Sequence, residues 1–350
     1  MIFQKNRHFR VFTWIVISLV LFWLLFNLPL PYYIQKPGGA LDVRQVMTVN
    51  GESDQQPGSY NLVYVRVEEA TPFSILVAQF DPNQTVQPKE QVQGKQSDQE
   101  YQQLNLIYMA SSQNQASYQG LTLAGREAKI DYLGVYVLSL SENSTFKGVL
   151  DVGDTVTGVN GKSFSNSKDL VDYVSKLPLD STVEISYQTT DRKTHQAKGK
   201  VINIGGGRHG IGISLVEHNV ITSKDKVEFQ TDGIGGPSAG LMFTLSIYTQ
   251  LKEPGLRNGR IIAGTGTIES DGSVGDIGGI DKKVLSADRA GASIFFAPNN
   301  PVDASYKKSH PEAKTNYEEA VESVKRNHLS IKVVPVSKVQ DAINYLKANP

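Results

Sequence analysis

The chain has 350 residues with 35 basic and 35 acidic side chains, so its net charge is zero. A nucleic-acid binder needs an excess of cations to displace phosphate counterions, and this chain has none to spare. At 39% hydrophobic and 20% charged residues it lies in the globular range, which excludes wholesale disorder; the absence of cysteine excludes disulfides, thiolate metal sites and a cysteine nucleophile.

Lys5, Arg7 and Arg10 precede an uncharged run of twenty residues, Val11 to Leu30, and no acidic residue occurs before Asp42. Twenty helical residues rise about 30 Å, the thickness of a bilayer's hydrocarbon core. Trp14, Trp23, Tyr32 and Tyr33 lie in or beside the run, and amphipathic rings suit a membrane interface. A cleaved signal peptide needs a shorter apolar run and a small-residue cleavage site, whereas the first alanine is Ala40. Residues 1–35 are therefore expected to be a cytoplasmic basic flank and an uncleaved, single-pass anchor. The basic flank stays inside, which places everything after it outside the cell.

Residues 36–125 read as a polar, extracellular α/β segment. Asn61 to Val67 (NLVYVRV) has the composition of a strand, and Thr71-Pro72 opens a short apolar run to Phe80 with the residues of an N-cap and first turn. Eleven glutamines between Gln84 and Gln119 predict a solvated stretch, to which the sequence assigns no function.

Residues 126–204 change in character. Tyr132 to Val137 is a strand entered through Gly134, Val149 to Asn160 places two apolar stretches around turn residues, and Asn160-Gly161 is a strong hairpin signal. Ser167 then precedes a helix with Leu170, Val171, Val174 and Leu177 on one face, and Val183 to Tyr187 is an alternating strand. This order resembles a PDZ domain of the bacterial protease-associated type: YLGVYV as carboxylate-binding loop, GDTVTGVNG as central hairpin, SKDLVDYVSKL as groove helix. The resemblance implies a peptide added as a strand, its terminus received by backbone amides around Leu133, Gly134 and Val135.

Two nucleotide-binding patterns fail. Gly161-Lys162-Ser163 ends like a Walker A motif, but Val156 stands where its first glycine is required. Gly205-Gly207-Gly210 fits GxGxxG, yet the strand-like IGISLVEHNV follows it where a helix is needed to hold a pyrophosphate. A glycine-rich linker between domains is the expectation there. There is no HExxH, and no metal or other cofactor is expected.

Residues 205–350 carry the chemistry. A strand, Val227 to Thr231, runs into Asp232-Gly-Ile-Gly-Gly-Pro-Ser238-Ala-Gly240 and an apolar helix. A serine at a glycine-lined strand-to-helix junction has an accessible hydroxyl, and amides at the helix start can stabilise an oxyanion. Downstream, Ile261 to Ile268 ends in Thr265-Gly-Thr-Ile, and a second glycine-rich turn (GDIGGI) leads into a helix with Lys282 and Lys283 in its opening turns. The helix macrodipole disfavours a cation there; that field and burial both push a lysine toward the neutral form a general base needs. Lys282 is expected to be solvated.

GGPSAG, TGTI and GDIGGIDKKVLSADRAGA resemble the proteolytic domain of the Lon family, from about Lys224 to the chain end. The resemblance implies a serine–lysine dyad: Ser238 matches the nucleophile, and Lys283, four places after Gly279, matches the general base. Thr265 matches a threonine that hydrogen-bonds that lysine. Where the family usually reads DGPSAG, Ile234, Gly235 and Gly236 here separate Asp232-Gly233 from Pro237, and the ATPase module of true Lon is missing. The order anchor, PDZ, Lon-like domain resembles the SepM/YlbL-type membrane proteases of Gram-positive bacteria.

The fold expected is α+β: a transmembrane helix, a PDZ domain and a Lon-type domain of mixed strands and helices. The function implied is ATP-independent serine endopeptidase activity on exported peptides or unstructured proteins, including maturation of a secreted signalling peptide. Its partners would be a peptide substrate and the membrane, with no nucleic acid and no nucleotide. One alternative is an α/β-hydrolase pairing Ser238 with His310 or His328, which chain order permits. The other is a catalytically inactive surface PDZ scaffold.

Overall fold

A computed structural model describes residues 2–350, the side chains of 2–8 excepted. Helix α1 (Ile2–Asn27) leads into strands β1 (Tyr32–Asp42), β2 (Ser59–Glu69) and β3 (Thr85–Pro88), then helix α2 (Asp98–Leu123). Strands β4 (Ala128–Leu140) and β5 (Thr155–Val159), helix α3 (Ser167–Ser175), and strands β6 (Thr182–Gln188), β7 (Thr194–Lys200) and β8 (Ile213–Ser223) follow. The rest alternates: α4 (Gly240–Lys252), β9 (Ile261–Gly264), α5 (Ile280–Arg289), β10 (Ile294–Pro298), α6 (Asn316–Arg326), β11 (Lys332–Val336) and α7 (Val339–Ala348). Shorter elements are named by residue range.

The larger sheet has the strand order β11-β10-β9-β2-β1-β3. Its C-terminal strands are parallel, as helical crossovers require, and β2 joins them in parallel through pairs such as Tyr60 with Ile262. The segment 36–125, expected from sequence to be a region of its own, thus supplies half of the larger sheet. Side chains alternate across a strand. Leu62, Ile262, Phe296 and Val334 therefore fall on the face covered by α4, α2 and α7, and Val63, Ala263, Phe295 and Ala297 on the face covered by α5 and α6. Helix α4 lies between sheet and α2, so every residue from Gly240 to Thr249 is buried; this is why its sequence is apolar on all sides.

The glutamine-rich stretch is not a solvated segment. Most of it is α2, started by a capping box in which Ser97 and Glu100 exchange hydrogen bonds, with Met109, Ala116 and Leu121 buried in the core it shares with α4. The number of glutamines hid the apolar residues recurring between them. Gly120 lets the two helices touch: a Cβ there would lie 2.7 Å from Ile247 Cβ.

The smaller sheet is antiparallel, β8-β4-β5-β6-β7, with Val135, Val137, Val156, Val183 and Ile185 packed beneath Leu170 and Val174 of α3. It is PDZ-like in composition and order, and its Asn160-Gly161 turn has both residues at positive φ, as expected. Its extent differs from the expectation. Strand β8 pairs with β4 from Ile213–Leu140 to Ser223–Ala128, so the domain runs past residue 204 to Ser223. Gly205 to Gly207 form the tip of a hairpin in which Ile202 and Asn203 pair with Gly210 and His209; they are a turn within the domain and not a linker after it.

Candidate active site

Ser238 sits half-buried two residues before the first residue of α4. The loop ahead of it bends because Gly236 has φ 92°, and its N–H donates to Asn105 O of α2 at 2.9 Å. Ser112 of the same helix donates to Pro237 O at 2.8 Å. On the other side Gly266 N–H donates to Ser238 O at 2.9 Å, which fastens the loop to the turn after β9. Gly240 is needed for that approach, since a Cβ would come within 2.7 Å of Ile268 Cγ2. The serine is thus held between α2 and the TGTI turn.

Lys283 reaches the same point from α5, whose start is set by Gly279 in the left-handed region at φ 67°. Its Nζ lies 2.9 Å from Ser238 Oγ and 3.2 Å from Thr265 Oγ1, and Thr265 in turn donates to Ser238 O at 3.1 Å. Because the threonine O–H is committed to that carbonyl, its oxygen is left to accept an N–H from the lysine. The amine is then oriented with its remaining valence toward the serine. Lys283 is 4% exposed and, among the described residues, its amine hydrogen-bonds only to Ser238 and Thr265. Burial without a carboxylate partner pushes its pKa down to about 7. The N–H groups of Ser238 and Ala239 have no acceptor among the described residues and lie at the positive end of α4.

Lys282 departs from the expectation of a solvated side chain. It is also 4% exposed, and its Nζ pairs with Asp281 Oδ2 at 3.0 Å, so the two neighbouring lysines differ in having or lacking a counter-ion. Asp232 is exposed in a turn closed by Ile234 N–H on Thr231 O, away from the serine. Neither His310, stacked on Tyr306, nor His328, in the turn after α6, hydrogen-bonds to Ser238; the histidine-based alternative has no geometry behind it.

A cavity of about 380 Å³ opens beside the nucleophile loop, between Pro237, Thr267 and Glu269 on one side and Tyr108 and Gln115 of α2 on another. Its third wall is Val216, Glu217 and Asn219 of β8. The space next to Ser238 is therefore bounded partly by the PDZ-like domain.

Within that domain Leu133, Gly134 and Val135 do not form a loop. They lie inside β4, which pairs with β8 along one edge and with β5 along the other, so no backbone edge is left there to receive a peptide. Gly134 packs at φ 148° with a would-be Cβ 2.3 Å from Val156 O, a demand of close strand packing. The sheet's outer strands are β7 and β8, and β8 is the one beside α3. Helix α3 lies alongside it: Ser167 N–H donates to Glu217 Oε1 at 2.8 Å at one end, and His209 Nδ1 lies 2.8 Å from Leu177 O at the other. The glycine-lined turn entering this edge is Gly210-Ile211-Gly212-Ile213, with Gly212 at φ 75°. The signal for it in the sequence is a pair of glycines followed by a strand-like run, the same residues that fit GxGxxG without the helix that motif needs.

Residues 232–344 match the family model of the Lon protease (S16) C-terminal proteolytic domain. That stretch includes Ser238, Thr265 and Lys283, and it makes this part of the chain a Lon-type serine protease domain. Among solved structures, the chain is similar to the PDZ domain of an SdrC-like protein from Listeria monocytogenes at 37% identity, over 25% of this chain and 93% of that one, with a TM-score of 0.24. The PDZ domain of the Listeria innocua SdrC-like protein is matched at 37% identity over 24% and 96%, with a TM-score of 0.23. No curated protein matches the chain. With the strand order and helix described above, the chain joins a Lon-type proteolytic domain at residues 232–344 to a PDZ-like domain.

Proposed function

We propose that the protein is a membrane-anchored, ATP-independent endopeptidase in which Ser238 is the nucleophile and Lys283 its general base. The observation that carries this reading is the 2.9 Å approach of a buried, carboxylate-free lysine amine to the Ser238 hydroxyl. A lysine with its pKa near 7 is substantially neutral at physiological pH, whereas an unperturbed one is neutral in fewer than about one molecule in a thousand.

In this mechanism neutral Lys283 takes the Ser238 proton as Oγ attacks the scissile carbonyl. The N–H groups of Ser238 and Ala239 receive the oxyanion, and the lysine ammonium then gives its proton to the departing amine. Water, deprotonated by the same lysine, releases the acyl group. Thr265 keeps the amine aimed through both halves. The peptide enters along the outer edge of β8, whose middle residues Val216, Glu217 and Asn219 border the cavity together with Pro237. Helix α1, whose span Phe9–Asn27 has a mean hydropathy of 2.2 and no buried part, serves as the anchor. The basic flank inside puts the protease outside the cell, where exported peptides and unstructured chains, including signalling peptides, are its substrates. No phosphate-binding loop occurs in the sequence, so ATP should not change turnover.

The test is cleavage of a quenched peptide by Ser238→Ala and Lys283→Arg proteins of unchanged fold. Each should lose about 10³-fold or more in kcat. Arginine keeps the charge but does not deprotonate. An active Lys283→Arg enzyme would sink the dyad.

A further inference from the structure

The short helix Pro72–Ala78 is apolar on every side, and only one side is covered. Thr71 caps it through a reciprocal bond with Ser74, and Pro72 opens its first turn, so the helix is locally specified. Ile75 and Ala78 pack inward on Ile34, Ala70 and Val86. Phe73, Leu76, Val77 and Phe80 follow the i, i+3, i+4, i+7 spacing of a single face, and that face is open: they are 39%, 51%, 41% and 82% exposed. No charged residue occurs from Ala70 to Phe80.

What covers this face is indicated by what it touches. The Phe73 ring centroid is 4.5 Å from that of Phe26, which is 4.8 Å from Phe22. Phe26 lies one residue before the end of α1. The open face therefore continues the apolar surface of the proposed span at the level where the chain leaves the hydrocarbon. We propose that Phe73, Leu76, Val77 and Phe80 insert into the outer leaflet of the bilayer as a second membrane contact beside α1. A single span leaves the body it carries free to swing; a second insertion fixes the tilt and height of the protease above the lipid. The proposal rests on α1 being a membrane anchor.

The chain has no cysteine, so single cysteines can be introduced and spin-labelled without background. Full-length Ser18→Cys, Leu76→Cys, Phe80→Cys and Lys168→Cys proteins, in vesicles of phosphatidylcholine and phosphatidylglycerol, would be compared for collision with oxygen and with a water-soluble nickel chelate. Labels at 76 and 80 should be shielded from nickel by about threefold or more relative to the label at 168, and less than the label at 18. Shielding at 18 with full nickel access at 76 and 80 would overturn the second contact and leave the anchor standing. Full access at 18 would overturn the anchor and this proposal with it.

Discussion

The two sheets of this protein are assembled in opposite ways. The PDZ-like sheet is antiparallel and drawn from one uninterrupted stretch, Ala128 to Ser223, whose ends are paired with each other. The protease sheet is drawn from both ends of the chain, with β2 in register beside β9 across the whole intervening domain. A stretch closed on itself can fold, be removed or be moved as a unit. A sheet made from both ends of the chain stands or falls with both, and the site inherits that dependence through the loop before Ser238, where Asn105 O of α2 accepts from Gly236 N–H and Ser112 donates to Pro237 O.

The sharpest way to break this contrast is to divide the chain. Residues 126–225 should fold alone, with cooperative thermal unfolding, whereas residues 205–350 should not fold, because β9 loses β2 and α4 loses α2. A cooperatively folded 205–350 fragment would show that the N-terminal strands are dispensable.

The next effect lies at Lys283. Its folded pKa of about 7 is below the unfolded value of 10.5, so the unfolded chain holds the proton more tightly. The resulting penalty on stability is full below pH 7 and disappears as pH rises to 10.5. Lys283→Met should therefore be more stable than the parent by about 4–5 kcal/mol at pH 6.5, and by almost nothing near pH 10.5, in chemical denaturation. In the parent, kcat/KM should rise through an apparent pKa near 7 as the base loses its proton. A stability gain that is independent of pH would mean that the lysine is not the group paying the desolvation cost.

A smaller effect is expected from excising 128–223 and joining the ends with a few glycines and serines. The ends already adjoin: Ser223 Oγ donates to Glu127 O at 2.6 Å, and Arg126 pairs with Asp225 at 3.6 Å. Cleavage of a short peptide should persist, while KM for a long one should rise about tenfold with the loss of binding at β8. An equal loss on both would point to β8 as a wall of the active site first and a peptide-binding edge second.

The smallest effect is at the seam between the regions. Ser112→Ala removes one buried hydrogen bond to Pro237 O and should lower kcat about fivefold without changing KM. Ser112→Thr, which keeps the hydroxyl, should recover most of that loss. A change in KM alone would place Ser112 in substrate binding.

How far the sequence could be read follows the same division. Ser238, Thr265 and Lys283 stood in three glycine-marked turns whose local chemistry is distinctive, and the structure brings the three together. The helix at Thr71-Pro72 and the turn at Asn160-Gly161 were legible for the same reason. Three features were not legible. The parallel register of β2 with β9 leaves no local trace, because residues 36–125 look alike whether or not a distant strand pairs with them. The burial of Lys282 depends on Asp281 and on α6 packing over it. The peptide edge was placed at Leu133–Val135 because a glycine entering an alternating strand marks a PDZ loop, yet Gly210–Ile213 has the same pattern; only the pairing of β4 on both sides distinguishes them.

The pairing of β2 with β9 also fixes a sequence of events during synthesis. Strands β1 and β2 emerge directly behind helix α1, but the partner of β2 arrives only after the whole PDZ-like domain, which can complete itself in the meantime. Pairing over so long a separation is slow, and until it occurs β2 is an unfinished edge exposed to other chains. Thr265 directly follows β9, and Lys283 lies further along still. The site is thus put together only when the last third of the chain has docked onto the first, so a nascent molecule stays unable to cut either itself or its neighbours until it is whole.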